Sequence, residues 1–202
     1  MRIRPSFILD LILFIMFSFF VFTAMEIMPS IWTVLRLILK EEMRHLTDIF
    51  IAIPFIILLF YTIFVKRQKH FLSYVWYIIL IVLVYVLYNS IESPYNRMHI
   101  FQYFLLSILV FRIMHHFIYD IRLYILGVLI AGCFGIVDET TQYFVPTRVA
   151  SLADLGADFI SAGLGQMFIF LVVRPELEIG RFKLRKQIKG YYAQERWLKK
   201  RR

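Results

Sequence analysis

Apolar runs long enough to cross a bilayer alternate with short polar stretches along most of the chain. A spanning helix needs about 20 mostly apolar residues, because a hydrocarbon core of about 30 Å is crossed at about 1.5 Å per residue. Six runs approach or meet that length. Residues 7–24 carry one charge, Asp10. Residues 49–65 are short and interrupted by Pro54. Residues 71–89 are uncharged. Residues 98–117 hold His99 near one end and Arg112 near the other. Residues 123–143 continue through Asp138 and Glu139, and residues 152–173 carry Asp154 and Asp158 in their first turns. The pattern predicts an all-α polytopic integral membrane protein of about six transmembrane helices. Arg2 and Arg4 before the first run imitate a signal peptide. The run is long, and no small-x-small cleavage site stands near Thr23-Ala24-Met25, so it reads as an uncleaved span. Between the first two spans, residues 31–46 mix Trp32, Leu35, Ile38 and Leu39 with Arg36, Lys40, Glu41, Glu42 and Arg44, behind Ser30 as a candidate cap. That mixture suits a separate helix lying in the interface, or a solvated loop helix.

Composition narrows the class. Of 202 residues, 60% are hydrophobic and 18% charged, against roughly 45–50% and about 25% in soluble domains. A disordered chain, a collagen and a coiled coil are excluded. The single cysteine excludes a disulfide framework and any zinc site built from cysteines. The net charge of +9 matters less than where the bases fall. With sides numbered alternately, the N-terminal side holds Arg2, Arg4, Lys66, Arg67, Lys69, Arg112, Arg122 and eleven bases in residues 174–202. The other side holds Arg36, Lys40, Arg44, Arg97 and Arg148. Positive residues stay inside, so both termini are expected to be cytoplasmic. The tail sets eleven bases against Glu176, Glu178 and Glu195, with Tyr191, Tyr192 and Trp197 among them. It reads as an anchor on anionic lipid, at about 1 kcal/mol per base near the surface, and no nucleic-acid partner is expected.

Ionisable groups at membrane depth cost about 2.5–3.5 kcal/mol each on insertion scales and ask for a reason. They are dense between positions 138 and 158: Asp138, Glu139, Thr140, Thr141, Gln142, then Pro146, Arg148, Ser151, Asp154 and Asp158. Glu139 and Gln142 share a helix face, as do Asp154 and Asp158. Pro146 is expected to end the fifth helix. Ser151 with Asp154 three residues on reads as a cap with a capping-box-like partner opening the sixth. Gly127, Ala131 and Gly135 recur every four residues up to Glu139, and Ala153, Ala157, Ser161 and Gly165 do the same. Such stripes let membrane helices approach closely, here setting Glu139 against the start of the sixth helix. The charge-based topology brings Arg97, His99, Glu139, Gln142, Arg148, Asp154 and Asp158 to one extracytoplasmic face. They form either a polar pocket open to the outer leaflet or an ion-pair lattice, such as Arg148 with Asp154 or Asp158, that holds a turn together.

These residues resemble the VanZ-like family of bacterial membrane proteins. The run Asp138-Glu139-Thr-Thr-Gln142-Tyr-Phe144-Val-Pro146-Thr-Arg148-Val-Ala-Ser151-Leu-Ala-Asp154 is similar to one family signature, and Arg97-Met-His99-Ile-Phe-Gln-Tyr103-Phe-Leu105 to another. Asp158 stands where the family usually has asparagine, Ser161 where it has glycine, and Gln102 where an acid is common. The resemblance covers residues 71–173. It implies a VanZ-like four-helix membrane domain over 71–173; outside it, hydropathy and charge give residues 1–70 as two N-terminal spans with an interfacial linker and 174–202 as a basic cytoplasmic tail. The resemblance also implies a bacterial plasma-membrane location and a contribution to glycopeptide resistance of the teicoplanin type. The biochemical activity is not settled by it.

The candidate site residues are Arg97, His99, Tyr103, Asp138, Glu139, Gln142, Arg148, Asp154 and Asp158. Three chemistries fit them. A binding protein would hold an envelope lipid, a lipid-linked cell-wall precursor or a lipoglycopeptide. A membrane enzyme would act on an outer-leaflet phosphorylated lipid, with His99 and a carboxylate as acid and base and arginine forks on a phosphate. The acids and His99 would otherwise hold a divalent cation. A small proton-coupled transporter would use Glu139 and Asp158. The sequence contains no HExxH, P-loop or GxSxG motif, and it leaves both the cofactor and the oligomeric state open. His115 and His116 read as interfacial.

Overall fold

The computed structural model describes residues 5–39, 43–91, 93, 96–118, 120–144 and 151–173. Within them the chain is helical and polytopic: α1 Pro5–Leu39, α2 Met43–Phe60, α3 Phe71–Ser90, α4 Arg97–Met114, α5 Arg122–Tyr143 and α6 Leu152–Met167. Short π-helical turns, Tyr61–Val65 and Phe168–Val173, extend α2 and α6. Five stretches are long and apolar enough to span a membrane. The sixth, Ile51–Val65, is shorter. At about 1.5 Å per residue it covers about 22 Å, because Asp48 precedes the run and Lys66 and Arg67 follow it. Pro54 does not interrupt α2; membrane helices tolerate proline where neighbouring groups satisfy the backbone.

The separate interfacial helix is corrected. α1 runs without a break through Ser30 to Leu39, so Ser30 caps nothing. The helix passes through Pro29, which is disfavoured in a helix interior and is tolerated in membrane helices where neighbouring groups satisfy the freed backbone.

α4 is the central helix. It is the least apolar of the five spans and the most buried, whereas the first span is mostly exposed. Its polar residues therefore face protein rather than lipid. α4 and α6 run parallel and in register. Asn96 meets Asp154, His99 meets Asp158, and Gln166 Nε2 donates to the Ser107 carbonyl at 2.7 Å. α5 runs antiparallel beside α6. A Cβ on Gly127 would strike the Gln166 side chain, one on Gly132 the Phe159 ring, and one on Gly135 would lie 2.9 Å from Asp158 Oδ2. The α5 stripe thus packs as expected of small residues. Gly165 serves a different neighbour: it lies against Ser107 and the Phe104 carbonyl on α4.

The outer helices close two sides. From α1, Val21, Phe14 and Phe17 cover Tyr103, Leu106, Ala131 and Ala162. From α2 and α3, Phe55, Tyr77, Leu80 and Val84 pack on Ile100, Phe104, Leu164 and Phe168. Phe19, Phe71, Ile78 and Tyr85 are among the many large apolar side chains left outward, a surface that suits lipid and not water.

Candidate functional site

Three helices meet at the end of the bundle formed by the start of α4, the end of α5 and the start of α6. There His99, Asp138, Glu139 and Asp158 are all buried, and each offers a ligating atom within 4.8 Å of the others. His99 Nδ1 lies 3.2 Å from Asp158 Oδ1 and 3.8 Å from Asp138 Oδ2. The Tyr103 hydroxyl, one helical turn below His99, donates to Asp138 Oδ2 at 3.1 Å. Gly135 lets this happen, since its missing side chain leaves room for Asp158 Oδ2 against the α5 backbone. Asp158 is fully buried, and Tyr103 likewise.

Glu139 is held from outside the cluster. The Ser151 backbone N–H donates to its Oε2 at 2.8 Å. This revises the opening of α6. Ser151 Oγ does cap the helix, accepting from the Ala153 N–H at 3.1 Å. The reciprocal partner of a capping box is absent, because the Ser151 N–H goes to Glu139 on α5, and Asp154 accepts from Asn96 Nδ2 at 2.8 Å. The cap therefore ties two helices together rather than closing one. Asp158 Oδ2 and Glu139 Oε1 are buried with no hydrogen-bond partner among the described residues, as is Gln142 Nε2. Two like unit charges under 5 Å apart repel by about 3–4 kcal/mol at an effective dielectric of 20. Three carboxyls gathered around one imidazole thus form a centre that favours positive charge.

The sequence-predicted residues separate into three groups. His99, Asp138, Glu139 and Asp158 form the centre, with Tyr103 on Asp138. Asp154 lies one turn outward with Asn96. Arg97 is not in the cluster: its Nε donates to the Ile91 carbonyl at 2.8 Å, its Nη1 to the Tyr88 hydroxyl at 3.1 Å, and its guanidinium lies 4.3 Å from the Tyr88 ring centroid. Positions 97 and 99 are two apart on a helix and cannot share a face. Gln142 is buried one helical turn along α5 from Asp138 and Glu139, on the same face, and Arg148 and Pro146 lie outside the described residues. Among the described residues the partner of Asp158 is His99; the expected pairing of Arg148 with Asp154 or Asp158 lies outside them.

Beside the centre, Tyr88 donates to Asp48 Oδ1. These two and Asn89 form the polar end of a groove of about 540 Å³ between α2 and α3, whose walls include Phe55, Tyr77 and Val84. Sequence reading missed Asp48 as a partner, since it stands just outside an apolar run.

A second polar centre sits at the other end. Asp10 on α1 is buried, with Oδ1 2.5 Å from Arg112 Nη2 and Oδ2 2.9 Å from His116 Nε2. These lie with Lys66 and His115 on a cavity of about 530 Å³. His116 is therefore a hydrogen-bond partner of Asp10 at that end of the bundle. The signal was present: Asp10 and Arg112 are lone charges inside apolar runs, placed toward one side by the topology. From His99 to His116 is about 25 Å along α4, close to the hydrocarbon thickness. No family model, curated protein or solved structure matches the chain.

Proposed function

We propose that this chain is a VanZ-like integral membrane protein of the bacterial envelope, whose outward-facing polar centre binds the headgroup of an envelope lipid, a lipid-linked cell-wall precursor or a lipoglycopeptide. Through that ligand it contributes to teicoplanin-type resistance. One observation carries the reading. His99, Asp138 and Glu139, three residues of the two signatures from which the resemblance was drawn, converge within 4.8 Å at one end of the bundle together with Asp158, which stands where the family usually has asparagine. Burying them in a membrane protein is costly, and such residues there usually mark a ligand or proton path. The orientation is supported by the charge at the opposite end, where Lys66 and Arg112 line the second cavity and Arg122 opens α5. The groove between α2 and α3 supports an amphiphilic ligand: its walls accept an acyl chain, and its polar end adjoins Arg97 through Tyr88.

A second reading, a membrane enzyme acting on a phosphorylated lipid, draws on the pairing of His99 with Asp158 and of Tyr103 with Asp138. A histidine oriented by a carboxylate is a competent acid–base group. The two readings part on the product: binding leaves a lipid precursor chemically intact, and catalysis does not. The test is teicoplanin susceptibility of cells expressing the wild type or Glu139→Gln at matched protein levels. The proposal expects resistance from the wild type alone. Equal susceptibility of both, with the wild type no better than empty vector, contradicts it.

A further inference from the structure

We infer that His99, Asp138, Glu139 and Asp158 form a binding site for one divalent first-row cation of the manganese or zinc class. The donor set is one imidazole nitrogen and three carboxylates, from three different helices. Donor atoms about 2.0–2.6 Å from a cation lie up to about 4–5 Å apart across it, and these four already lie within 4.8 Å of one another. They need to close only slightly.

Two independent features point to a ligand rather than to a self-satisfied lattice. Asp158 Oδ2 and Glu139 Oε1 are buried and without a hydrogen-bond partner among the described residues, although each carboxylate's other oxygen is used. A buried carboxylate oxygen without a partner is costly, and a cation held by both carboxylates would relieve that cost. The outer contacts are those expected of a metal site. The Tyr103 hydroxyl fixes Asp138, and the Ser151 N–H fixes Glu139, as second-layer partners orient ligating groups elsewhere. Charge agrees: a dication on three carboxylates leaves −1, where the bare carboxylates would carry −3. The nitrogen–oxygen mixture selects the metal class. Carboxylates alone favour magnesium or calcium, and an imidazole shifts preference toward zinc, manganese or iron. A cation here also gives three acids a means to attract a phosphate-bearing headgroup, which they would otherwise repel. The cation site does not depend on which headgroup that is.

The test uses the full chain purified in detergent, stripped by a chelator and titrated with Mn²⁺, with the free ion followed by electron paramagnetic resonance. One Mn²⁺ per chain is expected, displaced by Zn²⁺. Asp158→Asn and Glu139→Gln should each weaken binding at least tenfold. Asp120→Asn, an exposed acid paired with Arg122 at the far end, should not change it. The wild type should also melt at a higher temperature as Mn²⁺ rises above its Kd, a readout that needs no variant to fold. Absence of saturable uptake, absence of a melting shift, or equal uptake by the wild type and Asp158→Asn overturns the site. None of these outcomes depends on antibiotic susceptibility, so the cation site and the resistance reading fail separately.

Discussion

His99 on α4 and Asp158 on α6 meet through Nδ1 and Oδ1 at 3.2 Å, 59 residues apart in sequence. The same offset, within one residue, relates Asn96 to Asp154 and Ser107 to Gln166. The contact is thus one rung of a parallel helix pair, set by the packing of Gly165 against α4 as much as by its own charge. Removing one partner from a buried pair costs about 3–5 kcal/mol, because the other is left uncompensated. His99→Ala should therefore destabilise the protein by about that much, and His99→Ala with Asp158→Ala by less than the sum of the two single changes. A thermodynamic cycle from unfolding in mixed micelles checks this, with a coupling energy above about 1 kcal/mol expected for residues in contact. Additive costs would contradict the contact.

Close approach of α5 to α6 predicts a contrast between glycines. A methyl group on Gly135 would lie 2.9 Å from Asp158 Oδ2 and 3.2 Å from its Cβ, whereas nothing lies within 4 Å of one on Gly163. Gly135→Ala should cost about 1–3 kcal/mol by overpacking and displace Asp158. Gly163→Ala should be neutral or stabilising by up to about 1 kcal/mol, through helix propensity. Melting temperatures of the two variants in one detergent decide the matter.

At the other end, Asp10 is the only acid in the first span and holds α1 to α4 through Arg112 and His116. Asp10→Asn should weaken that attachment by about 1–2 kcal/mol. This is less than a fully buried pair would lose, because the Arg112 side chain is half exposed and can return to water. Limited proteolysis should then cut α1 sooner while the α4–α6 core persists. Unchanged cleavage would show that the apolar contacts of Val21, Phe14 and Phe17 suffice.

What the sequence made legible follows from what each feature depends on. α3 and α5 match their apolar runs to within a residue or two, as does α6 with its π-helical extension to Val173, because hydropathy alone sets a span. His99, Asp138, Glu139 and Asp158 stood out because charges are conspicuous inside such runs. The continuity of α1 was not legible: Pro29-Ser30 resembles a helix boundary, and only the whole helix shows that the boundary is not used. Arg97 was grouped with His99 by nearness along the chain, although helical periodicity sends the two side chains apart. The approach of Glu139 to the start of α6 was legible in the small-residue stripes, and the bond from the Ser151 N–H agrees with it. The Asp154–Asn96 contact depends on how α4 sits against α6, and a capping pattern read along the sequence cannot reveal a partner on another helix.

The central claim is that the His99–Asp138–Glu139–Asp158 centre opens toward the outside of the cell. Leu152 begins α6 beside Ser151 and is 88% exposed, and the one native thiol, Cys133, can be replaced by serine. In a Cys133→Ser, Leu152→Cys chain, a membrane-impermeant maleimide added to intact cells should label position 152 fully, with no gain on permeabilisation. Labelling only after permeabilisation, or only in inside-out vesicles, would put the centre on the cytoplasmic side and contradict the account.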